Sequence, residues 1–269
     1  MRLSVSKYKS QFILKGALAL TAVRAPQTRP TRDIDFKGEM PNDVDDVVAV
    51  VKDICGVDVI PDGLNFDAAS VIGVVIDDDD EYSGVRITFK GFLANAEVPM
   101  QLDIGFGDVV IPKPKEIEYP VILDFPSPKL RVYPFECTIA EKFEAMIHLG
   151  EINSRMKDFY DIWFLSRNSD FDGETLQRAI ESTFKTRSTI IPDDLKGLLG
   201  RLDTADKTSQ WTAFIKRSDI TDCPREFSAV LTSISLFLSP VIRASVEGVR
   251  NRSIWKPTTG WKQATPPVS

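Results

Sequence analysis

The stretch RPTRDIDFKG, Arg29 to Gly38, sets two carboxylates one residue apart, with Ile34 between them and Phe36 behind. Alternating apolar and acidic residues read as a β-strand, on which successive side chains point to opposite faces. Ile34 and Phe36 then enter a core, while Asp33 and Asp35 share the other face. Two carboxylates side by side on a rigid strand repel one another. The arrangement is favourable where a cation sits against them or one of them takes up a proton. Oxygen donors of this kind suit Mg²⁺, which keeps several waters and takes further ligands from substrate phosphates. An Asp pair at a strand end is also a common turn or exposed edge, so the reading needs support from elsewhere in the chain.

A second strand supplies it. VPMQLDIGFGDVV, residues 98–110, puts Val98, Met100, Leu102, Ile104 and Phe106 on one face and Gln101, Asp103 and Gly105 on the other. If this strand pairs with the first, Asp33, Asp35 and Asp103 converge, enough to hold one or two metal ions for in-line phosphoryl chemistry. About a dozen residues before the Asp pair, ILKGALAL runs into a helix, and Gly16 would let backbone N–H groups approach a triphosphate. The whole run KYKSQFILKGALALTAV has apolar residues at helix-like spacing.

The rest of the chain divides in two. NDVDDVVAVVKDICG is helical, with Val44, Val47, Val48 and Val51 in one stripe, acids in the first turn and Gly56 at the end. SVIGVVI and GVRITFKGFL form a hairpin whose connection holds the solvated acids Asp77 to Asp80. Between Ile111 and Pro134 six prolines mark a crossing segment. Beyond it TIAEKFEAMIHLGE, SRMKDFYDIWFLSRN, ETLQRAIESTFKTR, TSQWTAFIKRS and REFSAVLTSISLFL are helices. WKPTTGWKQATPPVS reads as a disordered tail. The expected fold class is α+β: a mixed sheet with helices in an N-terminal lobe over residues 1–125, an all-helical lobe over 126–250, and the tail over 251–269. The cleft between the lobes is the default ligand site.

Composition excludes several alternatives. Net charge is −6, so the chain does not coat nucleic acid indiscriminately. The balance is uneven: residues 1–171 carry 19 Lys/Arg against 28 Asp/Glu, whereas 172–269 carry 14 against 11, leaving room for a phosphate-bearing partner on the second part. Cys55, Cys137 and Cys223 have no metal-ligand spacing and suit a reducing, cytoplasmic setting. A single histidine, His148, leaves little basis for a serine triad or a multi-histidine zinc site, and it reads as structural. FILKGALALTAV after Arg2, Lys7 and Lys9 looks like a signal peptide, but Lys15 and Gly16 interrupt it and no small-x-small cleavage site follows. The uncharged run from Phe227 to Ile242 is 16 residues long and contains Pro240, short for a membrane span.

Taken together, FILKGALAL…RPTRDIDFKG, LDIGFGD, IAEKFEAMIHLG and SRMKDFYDIWFL resemble the AbiEii/AbiGii toxin family of nucleotidyltransferases, within the DNA-polymerase-β-like superfamily. The resemblance runs from about Arg2 to Leu165. It implies that Lys15, Gly16 and Ala17, with Arg32, bind nucleotide. It implies that Asp33 and Asp35 hold Mg²⁺, or Mn²⁺ in its place, that Lys142 contacts phosphates, and that Asp158 and Asp161 act near the acceptor or the lysine. By the strand reading Asp103 completes the metal site, and Lys157 would pair with phosphate or merely with solvent. The loop reads Gly16-Ala17 where the superfamily commonly has Gly-Gly or Gly-Ser, so backbone donors must serve where a hydroxyl is missing. The implied partners are an NTP, an RNA acceptor such as tRNA, and a cognate antitoxin, with no membrane. Read without the family, Lys142 on its helix could equally be a snorkelling surface lysine, and Asp158 a first-turn acid stabilising a helix end. Asp161, a turn further in between apolar neighbours, is harder to explain that way. The expected activity is Mg²⁺-dependent transfer of a nucleoside monophosphate to RNA by a toxin. The alternatives are transfer to a small molecule or protein hydroxyl, and a non-catalytic nucleotide-binding or protein-interaction module.

Overall fold

Asp35 lies on the middle strand of a seven-stranded sheet. The computed structural model describes residues 1–24, 30–31, 33–78, 82–107 and 109–263. Arg32, expected to bind nucleotide, falls outside them, as do Asp79 and Asp80 of the acidic run. By packing, the chain forms two units, residues 1–108 with 114–133 and residues 109–113 with 134–269.

The first unit opens with α1 (Arg2–Val5), β1 (Phe12–Leu14), α2 (Gly16–Arg24), β2 (Ile34–Gly38) and α3 (Val44–Cys55). It continues with β3 (Leu64–Asp78), β4 (Tyr82–Leu93), β5 (Ala96–Gly105), β6 (Lys115–Glu118) and β7 (Lys129–Val132). Across the sheet the order is β3-β4-β5-β2-β1-β7-β6. β2 runs antiparallel to β1 and parallel to β5. The helix-like spacing around residue 13 resolves differently from expectation. Phe12, Ile13 and Leu14 are all buried, in a short strand covered on both faces, and the helix begins only at Gly16. A continuous apolar run of this length cannot be told from a buried helix by periodicity alone.

α3 forms as its stripe predicts. Asp43 caps it by accepting from the Asp46 N–H, Asp45 and Asp46 occupy the positive first turn, and Val47, Val51 and Cys55 are buried. It lies close on β3: a Cβ on Gly73 would fall 2.7 Å from side-chain carbons of both Val44 and Val48. Phe12, Leu14, Phe36, Val85, Ile87 and Ile104 join these valines in one core. The hairpin strands are longer than expected, pairing as far as Asp78 with Tyr82, so the acidic run belongs partly to the ladder. The proline-rich segment contributes β6 and β7 to the sheet edge, which its composition did not announce.

The second unit comprises α4 (Phe135–Leu149), α5 (Met156–Asn168), β8 (Phe171–Asp172), α6 (Gly173–Thr186), α7 (Leu195–Leu202), α8 (Ala205–Arg217), α9 (Phe227–Glu247), β9 (Ser253–Lys256) and β10 (Gly260–Gln263). α9 is the one described helix long and apolar enough to cross a membrane. Its Phe227, Val230, Ile234, Phe237, Leu238 and Val241 are buried within the unit, as in a core helix. Residues 251–263, expected to be disordered, form β9 and β10, which join β8 in a three-stranded sheet. Two tryptophans hold them there. Trp255 Nε1 donates to the Ser166 carbonyl at 2.7 Å and Trp261 Nε1 to the Phe237 carbonyl at 2.8 Å, with the Trp261 ring stacked on Phe237. Large aromatic burial outweighs a tail composition that otherwise favours disorder.

Candidate active site

The polar face of the first unit's sheet is built by register. β2 and β5 pair so that Asp35 lies directly opposite Asp103, with Ile34 opposite Leu102 and Phe36 opposite Ile104. Residues paired in register point to the same face, so the two carboxylates stand on neighbouring strands while Ile104 and Phe36 are buried behind them. Asp33 stands two residues before Asp35 at the entry to β2. Its N–H donates weakly to Thr31 Oγ1 at 3.4 Å, which holds the approach to the strand. Asp33 and Asp35 are both half-buried, accessible to solvent yet fixed by the sheet.

Gly16 shapes the opposite side of Asp35. Its φ is 63°, left-handed, and a Cβ there would lie 1.9 Å from Asp35 Oδ2 and 2.7 Å from its Cγ. Only glycine lets the chain turn from β1 into α2 this close to the carboxylate. The Lys15 N–H donates to the Asp35 carbonyl at 2.8 Å, locking the turn to β2. The start of α2 is thereby pinned at the acidic strand, where first-turn N–H groups have no intrahelical acceptors. Of the expected nucleotide-binding residues, Ala17 is buried, which leaves only its backbone to offer. The Lys15 amine rests 4.4 Å from the centre of the buried Tyr133 ring, a cation–π contact that orders its side chain.

Asp103 has a partner that sequence reasoning missed. Arg86 on β4 is its cross-strand neighbour. Its guanidinium is bidentate, Nε to Oδ1 and Nη2 to Oδ2 both at 2.8 Å, and Gln101 Nε2 lies 3.3 Å from each oxygen. Arg86, Asp103 and Asp35 thus form a row across three strands. The signal was present in GVRITFKGFL, where Val85, Ile87 and Phe89 alternate into the core and leave Arg86 on the polar face, but nothing local distinguishes such an arginine from a solvated one.

The second unit holds a separate charged cluster. Lys142 Nζ on α4 lies 2.6 Å from Asp158 Oδ1 and 2.8 Å from Asp161 Oδ2 on α5. Both aspartates are fully buried, and Lys142 is largely so. Arg155 Nε lies 2.7 Å from Asp158 Oδ2, an ion pair without hydrogen-bonding alignment. The i,i+3 spacing does put the two acids on one helix face, and their partner is the lysine. A first-turn electrostatic role does not account for a carboxylate buried this deeply. To contact a phosphate, as the resemblance implies, the Lys142 amine would have to do so while held between these two carboxylates. Lys157 is exposed.

Among the described residues no group of three or more His, Cys, Asp and Glu side chains is arranged to hold a metal ion. The donors present fit Mg²⁺ in kind: oxygen ligands at Asp33 and Asp35, half-buried at the start of β2 and open enough for solvent. They suit an ion that takes its remaining ligands from triphosphate and water better than an all-protein cage.

Comparison with known proteins agrees with this architecture. Residues 1–233 match the model of the nucleotidyl transferase AbiEii toxin family of type IV toxin–antitoxin systems. Among solved structures, a candidate nucleotidyltransferase from H. pylori is 16% identical with a TM-score of 0.50, covering 93% of this chain and 92% of that one, a likeness of fold. JHP933 from Helicobacter pylori aligns over 92% of this chain and 88% of its own at 16% identity and a TM-score of 0.49. Among curated proteins, none matches the sequence. The chain belongs to the AbiEii nucleotidyltransferase toxins of type IV toxin–antitoxin systems, a family that pairs a nucleotide-using toxin with a cognate antitoxin.

Proposed function

We propose that this nucleotidyltransferase moves a nucleoside monophosphate from an NTP to a hydroxyl of an RNA acceptor, with Mg²⁺ held at Asp33 and Asp35 and Asp103 completing the site. The observation that carries this reading is the register of Asp35 against Asp103, with the Gly16 backbone packed on the Asp35 carboxylate. Mg²⁺ held there would neutralise charge on the triphosphate and polarise it. The start of α2 offers backbone N–H groups to phosphate oxygens. Asp103, fixed in orientation by Arg86, accepts the proton of the attacking hydroxyl as its oxygen bonds the α-phosphorus and the bond to pyrophosphate breaks. The remaining work is positioning and charge neutralisation, which is what phosphoryl transfer chiefly requires of a protein. RNA is preferred as acceptor because the sequence after residue 171 is net basic in an acidic chain.

The test uses α-labelled NTPs, Mg²⁺ and total RNA, with the label followed on a denaturing gel. Asp35→Asn should lower transfer by about 10³-fold or more while leaving the unfolding midpoint unchanged. Transfer retained in a folded Asp35→Asn protein would remove the mechanism. Label appearing on protein or on a small molecule, and none on RNA, would change the acceptor.

A further inference from the structure

The last turns of α9 and the β9–β10 hairpin lie beyond residue 233, where the family match ends. They enclose an open pocket of about 480 Å³ whose rim carries Arg243, Arg250, Arg252 and Lys262 against one carboxylate, Glu247. This concentration of positive charge sits on a chain whose net charge is −6. Arg243, Arg252 and Lys262 are exposed and have no ion-pair partner among the described residues. Arg250 is 72% exposed and makes only a long contact to Glu174 at 3.4 Å. Four like charges around one hollow repel each other, and the arrangement costs stability unless an anionic partner occupies it.

The support beneath these cations is rigid. Asn251, between Arg250 and Arg252, is 9% exposed. Its N–H donates to Gln177 Oε1 at 2.9 Å, and its Oδ1 accepts from the Ser253 N–H and hydroxyl. Gln177 Nε2 in turn donates to the Val249 carbonyl at 2.9 Å. With Asn251 anchored inward, Arg250 and Arg252 flank it as exposed neighbours. The buried Asn251 Nδ2, on a residue that lines the pocket, has no hydrogen-bond partner. An amide donor left unmatched beside a ring of cations points to an oxygen-bearing anion, since a buried donor without a partner costs about 1–3 kcal/mol.

We propose that this pocket is a docking site for the phosphodiester backbone of an RNA. The four cations line a hollow of about 480 Å³, larger than a single phosphate, as a chain of phosphates requires. Phosphate contacts of this kind position a nucleic acid without reading its sequence. The inference rests on RNA being the acceptor, and it assigns the C-terminal hairpin the task of holding that acceptor.

The experiment compares the full-length protein with Arg243→Gln/Arg252→Gln/Lys262→Gln. Fluorescence anisotropy with labelled unfractionated tRNA is run over a KCl series, alongside the labelled transfer assay and NTP calorimetry. The triple variant should bind tRNA about 10-fold or more weakly near 0.1 M salt. The slope of log affinity against log salt should fall by about 2, as expected for three lost phosphate contacts. Its NTP affinity should match the wild type, and its unfolding midpoint without RNA should be no lower, since like-charge repulsion is relieved. Equal tRNA affinity and equal slope in both proteins would overturn the proposal, as would a wild type that does not bind tRNA. If the wild type binds tRNA through these cations but transfers no label to RNA, docking stands and the acceptor reading fails. If transfer to RNA proceeds equally in both proteins, docking fails and that reading stands.

Discussion

Two carboxylate pairs in this protein are the same in chemistry and differ in how they are built. Asp35 and Asp103 meet across β2 and β5 on a face that solvent reaches, with Asp103 held by a guanidinium that is itself 41% exposed. Asp158 and Asp161 meet on α5 with no exposure at all, closed over by the Lys142 amine. A half-buried pair within reach of solvent can exchange its cation at lower cost. A buried pair cannot, because removing its partner strands charge in a medium of low dielectric. Accessibility, more than the spacing of the acids, separates the pair suited to a substrate from the pair that ties two helices together.

The largest effects should therefore fall on different observables in the two places. Asp35→Asn acts on transfer and leaves stability alone. Lys142→Met should do the reverse first: it leaves two buried carboxylates without their shared cation and should lower unfolding free energy by about 3–5 kcal/mol in a denaturant titration. An unchanged unfolding midpoint for Lys142→Met would mean the buried cluster adds nothing to the fold, and the contrast between the pairs would collapse.

Gly16→Ala comes next in size and sharpens the exposed side of the comparison. The new methyl group would need the place of the Asp35 carboxylate and would hold a left-handed φ at a cost of about 1–2 kcal/mol. The carboxylate, as the movable end, should give way. Transfer should then fall by about 10²-fold, out of proportion to the modest stability loss, since small misplacements of a reacting group are that costly. Loss of stability with transfer intact would show that the close approach serves the turn alone.

How much of this was legible beforehand depends on the range of the forces involved. Alternation along DIDF and LDIGF marked both acidic strands and their buried faces, because a strand's two faces are a local property. Their parallel pairing was conditional in the sequence, since 68 residues separate Asp35 from Asp103 and no turn sets the register. Phe12–Leu14 was misassigned because a central strand loses the alternation that identifies strands. Spacing placed Asp158 and Asp161 on one helix face, but only the packing of α4 on α5 buries them. Trp255 and Trp261 stood within a stretch rich in proline, threonine and lysine, and two long-range indole hydrogen bonds decided against disorder. Arg86 was invisible for the same reason: its role exists only once β4 lies beside β5.

That arginine gives the smallest and most discriminating test. In the wild type the Arg86 guanidinium answers the charge of Asp103, which faces Asp35 in register. Arg86→Gln removes that cation and leaves two carboxylates directly opposed on adjacent strands. Such like-charge pairs, and half-exposed ion pairs generally, are each worth about 1 kcal/mol or less, so the loss in EDTA should be of that size. If the Asp35–Asp103 face accepts a divalent ion, Mg²⁺ binding to the folded state should restore the variant's melting temperature. The gain should exceed that of the wild type, where the guanidinium competes for Asp103. An equal Mg²⁺ response in the two proteins would confine the ion to the Asp33–Asp35 strand and leave Asp103 as the partner of an arginine, because a carboxylate beyond the reach of the ion cannot report on its arrival.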